Sequence, residues 1–201
     1  MKQQKEPKGK VGLADPTELE PFKSKPKNST SGTAEAGEEL LQIVIETPRG
    51  SRNKYSYDED DHIFRLKAAL PAGMVFPYDF GFVPRCLGGD DDPMDVLVLM
   101  DEPAFPGCVL LARLVGVMES EQTEQGETQR NDRLIAVAET AHLYSNIRDI
   151  DDIPKQALTE IEEFFANYHK LQGRSSRRLA WSGADVARKL IEDGLEKAKK
   201  A

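Results

Sequence analysis

Four aspartates, Asp90, Asp91, Asp92 and Asp95, fall within six positions, and the chain runs from them straight into Val96-Leu-Val-Leu99. An apolar run of that length reads as a buried strand, whereas carboxylates repel one another and resist burial. The fold must therefore start an interior strand at the lip of a hydrated, charged recess. Something cationic is required to hold these acids ionised together. Carboxylate oxygens suit hard divalent cations, and Mg²⁺ prefers a few carboxylates with retained waters. An EF-hand is excluded, because the loop lacks a Gly at its sixth position and a Glu at its twelfth. The alternative is a solvated Asp-rich turn.

The segment upstream favours a cavity. Leu70-Pro-Ala-Gly-Met-Val-Phe-Pro-Tyr-Asp-Phe-Gly-Phe-Val-Pro84 crowds aromatics among Gly and Pro and reads as a stiff aromatic loop, with Phe76 and Phe82 as core residues.

Through about residue 140 the chain reads as short strands punctuated by turns. Leu40–Ile45, Lys54–Tyr57, His62–Leu66, Val96–Leu99, Val109–Val117 (bulged near Gly116) and Leu134–Ala138 are the candidates. After Pro154 the period becomes helical, with Leu158, Ile161, Phe165 and Tyr168 on one face and Asp151 and Asp152 favouring the helix start. A short strand, Leu179–Trp181, precedes a last helix. That helix opens on a capping-box-like Ser182-Gly-Ala-Asp185 and stacks Val186, Leu190 and Gly194. The expected fold class is α+β: a small antiparallel barrel of the oligonucleotide-binding (OB-like) kind, flanked by two helices near the C-terminus.

Charge divides the chain. Residues 1–37 hold seven lysines against five acids, four prolines and few large hydrophobes, so they are expected to form a flexible extension. A weak patch, Thr17–Phe22, is the part that could dock. Residues 38–201, the expected catalytic domain, carry 20 basic and 30 acidic residues. An acidic body is a poor partner for a nucleic-acid backbone. No apolar run reaches the roughly 18–20 residues of a membrane helix. The basic start is not followed by an apolar stretch, so no secretory signal is expected, and the location expected is cytoplasmic. Cys86 and Cys108 give neither a disulfide framework nor zinc spacing.

Asp90-Asp-Asp-Pro-Met-Asp-Val96 resembles the signature of the soluble family I inorganic pyrophosphatases. Ile43-Val-Ile-Glu46, Lys54-Tyr55, Phe76-Pro77, Phe80-Gly81, Val115-Gly-Val117, Arg133-Leu-Ile-Ala-Val137 and Phe164-Phe165 with Tyr168 extend the likeness across residues 40–200. The resemblance implies Mg²⁺-dependent hydrolysis of diphosphate to two phosphates on an OB-like barrel, in a homo-oligomer. It implies that several Mg²⁺ ions are held by Asp90 and Asp95, with Glu46 at the entrance, and that Asp92 takes a proton from the attacking water. It further implies that Lys54, Lys67, Arg133 and Tyr168 grip the substrate.

Several positions depart from the family pattern. Ser56 stands where a Glu is usual, Phe76 and Phe80 replace tyrosines, and His169 replaces a lysine. Lys67 and Arg133 exchange the family's arginine and lysine, which are not equivalent donors. A family metal-binding Asp falls on Asn131 and its earlier partner near Glu124, leaving Asp132 as a substitute if a bulge re-aims it. These departures imply weaker metal binding or slower turnover. They also sustain an alternative, a degenerate homologue that binds phosphate, nucleotide or a protein partner without turnover.

Overall fold

The computed structural model describes residues 15–25, 34–35 and 37–200. Its strands are β1 (Phe22–Ser24), β2 (Glu39–Thr47), β3 (Asn53–Asp58), β4 (Ile63–Ala69), β5 (Asp79–Leu87), β6 (Pro93–Leu99), β7 (Val109–Glu124), β8 (Glu127–Arg130), β9 (Arg133–Ala138) and β10 (Ser175–Gly183). The helices are α1 (Lys155–Leu171) and α2 (Ala184–Ala198), with short 3-10 turns at Pro16–Glu18 and Ile150–Asp152.

Five strands close a barrel in the order β2-β5-β6-β9-β7 and back to β2. β10 and β8 pair with β7 outside the ring, while β3 and β4 form a separate two-stranded sheet. The barrel is mixed rather than antiparallel, because β9 inserts between β6 and β7 and lies parallel to β6, with Val96 opposite Leu134 and Leu99 opposite Val137. Both partners are apolar along their whole paired length and essentially without exposed surface. That lack of alternation is the habit of strands buried on both faces. The expected bulge in β7 is present between Leu114 and Gly116.

The aromatic segment is not all loop. From Asp79 it forms β5, a barrel strand between β2 and β6. Pro and Gly disguise it for specific reasons. A Cβ on Gly81 would lie 2.0 Å from the Val44 carbonyl oxygen, so only glycine lets β2 pass this close. Pro84 and Arg85, the latter with φ of 55°, occupy the irregular stretch between Phe82 and Leu87 where pairing with β6 lapses.

α1 buries Ile161, Phe165 and Tyr168, as the periodicity predicts. Its start differs: Asp149 and Asp152 cap the preceding 3-10 turn reciprocally, and α1 begins after Pro154 with no side-chain cap. α2 also lacks its expected capping box, since the Ser182 hydroxyl donates instead to Glu119 Oε1 at 2.6 Å. Its buried face is Ala187, Ile191 and Gly194, one position on from the Val186–Leu190 face expected. Small residues win that face because the helix lies close on β5: a Cβ on Gly194 would fall 2.6 Å from both Cys86 Sγ and the Leu87 carbonyl oxygen.

Part of the segment expected to be a flexible extension is docked. β1 pairs antiparallel with β2, Lys25 forms a buried ion pair with Glu139 at 2.7 Å, and Arg85 bridges Glu18 and Glu20. Residues 1–14, 26–33 and 36 lie outside the described residues. Among the described residues no helix is long and apolar enough to cross a membrane.

Candidate active site

One cavity of about 800 Å³ opens where β2, β3, β4, the β5–β6 turn, β9 and α1 converge. Its lining includes Glu46, Lys54, Lys67, Asp90, Asp92, Asp95, Asp132, Arg133 and Tyr168, which are all the site residues expected from sequence.

The acid wall is built by the turn between β5 and β6. The Gly88 N–H donates to the Asp92 carbonyl at 2.7 Å, which closes the turn, and Asp91 takes a left-handed φ of 68°. Lys197, in the last turn of α2, reaches across to the Gly88 carbonyl at 2.6 Å and the Asp91 carboxylate at 2.7 Å. Asp95 follows on β6. Glu46 from β2 is buried and accepts from the Tyr57 N–H at 2.7 Å.

Crowding raises the acids. Burial lifts Glu46 to about 7 against the pull of Lys54, with Asp95 and Asp92 adding repulsion. Burial lifts Asp95 to about 6, opposed by Arg133 and Lys54 and aided by Asp90 and Asp92. Asp90 is raised by burial and then by Asp92.

The basic groups face this wall. Lys54 on β3 holds its ammonium 4.5 Å from the Phe80 ring centre, and Lys67 on β4 stands exposed at the mouth. Arg133 opens β9 and is buried. Its guanidinium stacks 4.1 Å over Phe165, donates to the Asn131 carbonyl at 3.0 Å, and lies 3.7 Å from Asp95. His169 is its support: Nε2 lies 3.3 Å from Arg133 Nη2, and burial and that guanidinium press the imidazole down to about 3. A neutral ring here accepts from Arg133, so His169 cannot act as the cation its position suggests. Tyr168 stacks on Phe164 with its ring plane 9° from parallel.

Asn131, Asp132 and Glu124 occupy different surroundings. The Asn131 amide donates to Asp90 Oδ2 at 2.8 Å, which joins it to the acid wall. Asp132 lines the cavity, yet both its oxygens are engaged by Arg130, and Oδ1 also accepts from the Ser120 N–H at 2.9 Å. Glu124 sits at the tip of the β7–β8 hairpin, pairs with Arg174 at 2.9 Å and is not among the cavity-lining residues. That hairpin, absent from the sequence reading, turns through Gln125 and Gly126, both with positive φ. Sequence reasoning also missed Gln122 on β7, a lining residue whose buried Oε1 has no hydrogen-bond partner among the described residues. No signal marked it, since it is uncharged and lies beyond the Val109–Val117 strand expected from sequence. The Ser56 hydroxyl is likewise buried and unpaired among them.

Such a cavity can hold a compact polyanion: bases on one wall grip it, and acids on the other gather cations. The pattern that describes inorganic pyrophosphatases as a family matches residues 43–199. The chain is 36% identical over 160 residues to an inorganic pyrophosphatase of Synechocystis, covering 80% of this chain and 92% of that protein. It is 41% identical over 157 residues to one from Haloferax volcanii, covering 78% and 86%. The crystal structure of inorganic pyrophosphatase from Thermus thermophilus superposes with a TM-score of 0.73 at 32% identity, covering 88% of this chain and 97% of that one. With cavity, barrel and sequence in agreement over most of its length, the chain belongs to the family I inorganic pyrophosphatases.

Proposed function

We propose that the protein hydrolyses inorganic diphosphate to two phosphates in a Mg²⁺-dependent reaction. The observation that carries this is the convergence of Asp90, Asp92 and Asp95 with Lys54, Lys67 and Arg133 on one cavity. The acid wall fits the metal by the chemistry of its donors: raised carboxylates a few residues apart are relieved by a divalent cation. Among the described residues no three acidic, His or Cys side chains close on a single ion position. Mg²⁺ takes one or two carboxylates and completes its shell with water and substrate oxygens. Asp90, Asp95 and Glu46 are the ligands we propose, with the side-chain amide oxygen of Asn131 as a neutral addition in place of Asp132. When bound, Mg²⁺ supplies positive charge between acids and substrate and acidifies water.

Lys54, Lys67 and Arg133 bind the phosphoryl oxygens and hold the diphosphate for in-line attack. Arg133 is pre-aimed by Phe165, the Asn131 carbonyl and His169, so little ordering is left for the substrate to impose. Tyr168 offers a hydroxyl at the same wall. As the water oxygen attacks one phosphorus, its proton passes to the Asp92 carboxylate, the bridging P–O bond breaks, and the second phosphate leaves. A cytoplasmic homo-oligomer that binds neither nucleic acid nor membrane belongs to the same proposal. The acidity of the body and the family resemblance support it.

The test is phosphate release from diphosphate with and without Mg²⁺. Asp92→Asn is expected to lower turnover by about 10²-fold or more, as for loss of a general base, while Mg²⁺ binding by calorimetry is retained. Wild-type protein that is folded and binds Mg²⁺ yet releases no phosphate would overturn the proposal.

A further inference from the structure

The β3–β4 hairpin is a sheet of its own, yet it carries Lys54 and Lys67 to the cavity. A lone two-stranded hairpin is marginally stable, so its pose is set by whatever ties it down. Two ties come from β2. The Thr47 hydroxyl accepts from the Tyr55 N–H at 3.0 Å and donates to the Tyr55 carbonyl at 3.1 Å, and Glu46 accepts from the Tyr57 N–H.

The third tie comes from the segment ahead of β1. Asp15 Oδ1 accepts from the Tyr57 hydroxyl at 3.2 Å, and Oδ2 lies 3.1 Å from His62 Nδ1, itself 3.2 Å from that hydroxyl. Tyr57, next to last in β3, lies on the cavity wall, its ring 5.1 Å from Phe64 of β4 and 6.3 Å from Phe82 of β5. His62 sits in the turn itself with a left-handed φ of 54°. Asp15 is in turn anchored to the barrel. It accepts from the Thr17 N–H at 2.9 Å, and the following residues are held by Arg85 and by β1 pairing with β2.

We propose that Asp15 is a positioning residue: through Tyr57 and His62 it latches the β3–β4 hairpin so that Lys54 and Lys67 are held at the cavity for substrate. This rests on the reading of Lys54 and Lys67 as diphosphate-gripping groups. A hairpin released from its latch spends part of its time with the lysines misplaced, and apparent affinity falls by the fraction of time they are in place. That is a binding defect, which raises KM and spares kcat.

The test compares wild type, Asp15→Ala and Asp15→Asn in the full chain, with steady-state kinetics on Mg²⁺-diphosphate and amide hydrogen exchange. Asp15→Ala is expected to raise KM about three- to tenfold with kcat within about twofold, and to speed exchange across residues 53–69 but not in β6 or β9. Asp15→Asn keeps an oxygen acceptor for Tyr57 and Thr17 and is expected to restore most of the wild-type KM. An unchanged KM with unchanged hairpin exchange overturns the latch, and so does a loss confined to kcat or faster exchange throughout the barrel. If hairpin exchange speeds up while wild-type protein itself fails to release phosphate, the latch stands and the functional reading falls.

Discussion

His169 shows how burial and the charge of a neighbour together fix the state of a ring: its Nε2 lies 3.3 Å from Arg133 Nη2. Its imidazole is held near 3 by burial and by the Arg133, Arg174 and Lys54 charges, against an ordinary 6.5. Between those values the unfolded chain binds a proton that the folded chain refuses. The fold therefore loses stability as pH falls through that window, and the contribution is complete above it. The slope is at most about 1.4 kcal/mol per pH unit. Urea melts at about pH 5 and about pH 7.5 check this: wild type is expected to lose more stability on acidification than His169→Gln, and parallel losses would contradict it. At this scale Asp90, Asp92 and Asp95 were legible, because they are contiguous and chemically conspicuous. Asn131 and Asp132 were not separable, since both line the cavity and only the folded contacts show that Arg130 and Ser120 engage Asp132 while Asn131 meets Asp90. Gln122 carries no charge to draw notice, and only the folded strand brings it to the cavity lining.

Among the elements, α2 was legible as a helix but not in its orientation. Amphipathicity favours the larger Val186 and Leu190, whereas the close approach to β5 demands Ala187 and Gly194. Gly194→Ala should improve helix propensity by up to about 1 kcal/mol in isolation. In the fold its methyl meets the Leu87 backbone, so the net change expected is a destabilisation of about 1–3 kcal/mol, as for overpacking. Chemical denaturation measures the sign, and a stabilised variant would show that the helix can lift off β5 freely. Movement there is felt at the acid wall, because Lys197 ties the same helix to Gly88 and Asp91. β5 itself was concealed by residues that ordinarily end strands, here kept for a close crossing and a bulge.

For the whole molecule, net charge is −8, and part of that charge faces inward on one cavity. A cation that binds only the folded arrangement stabilises it by mass action, about 2.7 kcal/mol for one site at a hundredfold excess over Kd. For a chain of this size that is a rise in Tm of about 5–10 °C. Differential scanning calorimetry with Mg²⁺ and then excess chelator should show the rise and its reversal, while no shift would leave the acid wall without its counter-charge. A barrel with two helices was legible in the spacing of the apolar runs. Its mixed character was not, because strand direction depends on where β9 inserts. The unbroken apolarity of Val96–Leu99 and Leu134–Val137 was the one hint.

That insertion also governs how the chain is made. β6 is complete at Leu99, but its neighbour β9 ends only at Ala138, with β7 and β8 synthesised between them. Without β9, β6 has β5 on one side and, on the other, an open edge that is apolar from Val96 to Leu99. Such an edge invites pairing with another nascent chain. Premature termination between β6 and β9 should therefore yield aggregates rather than a smaller folded product.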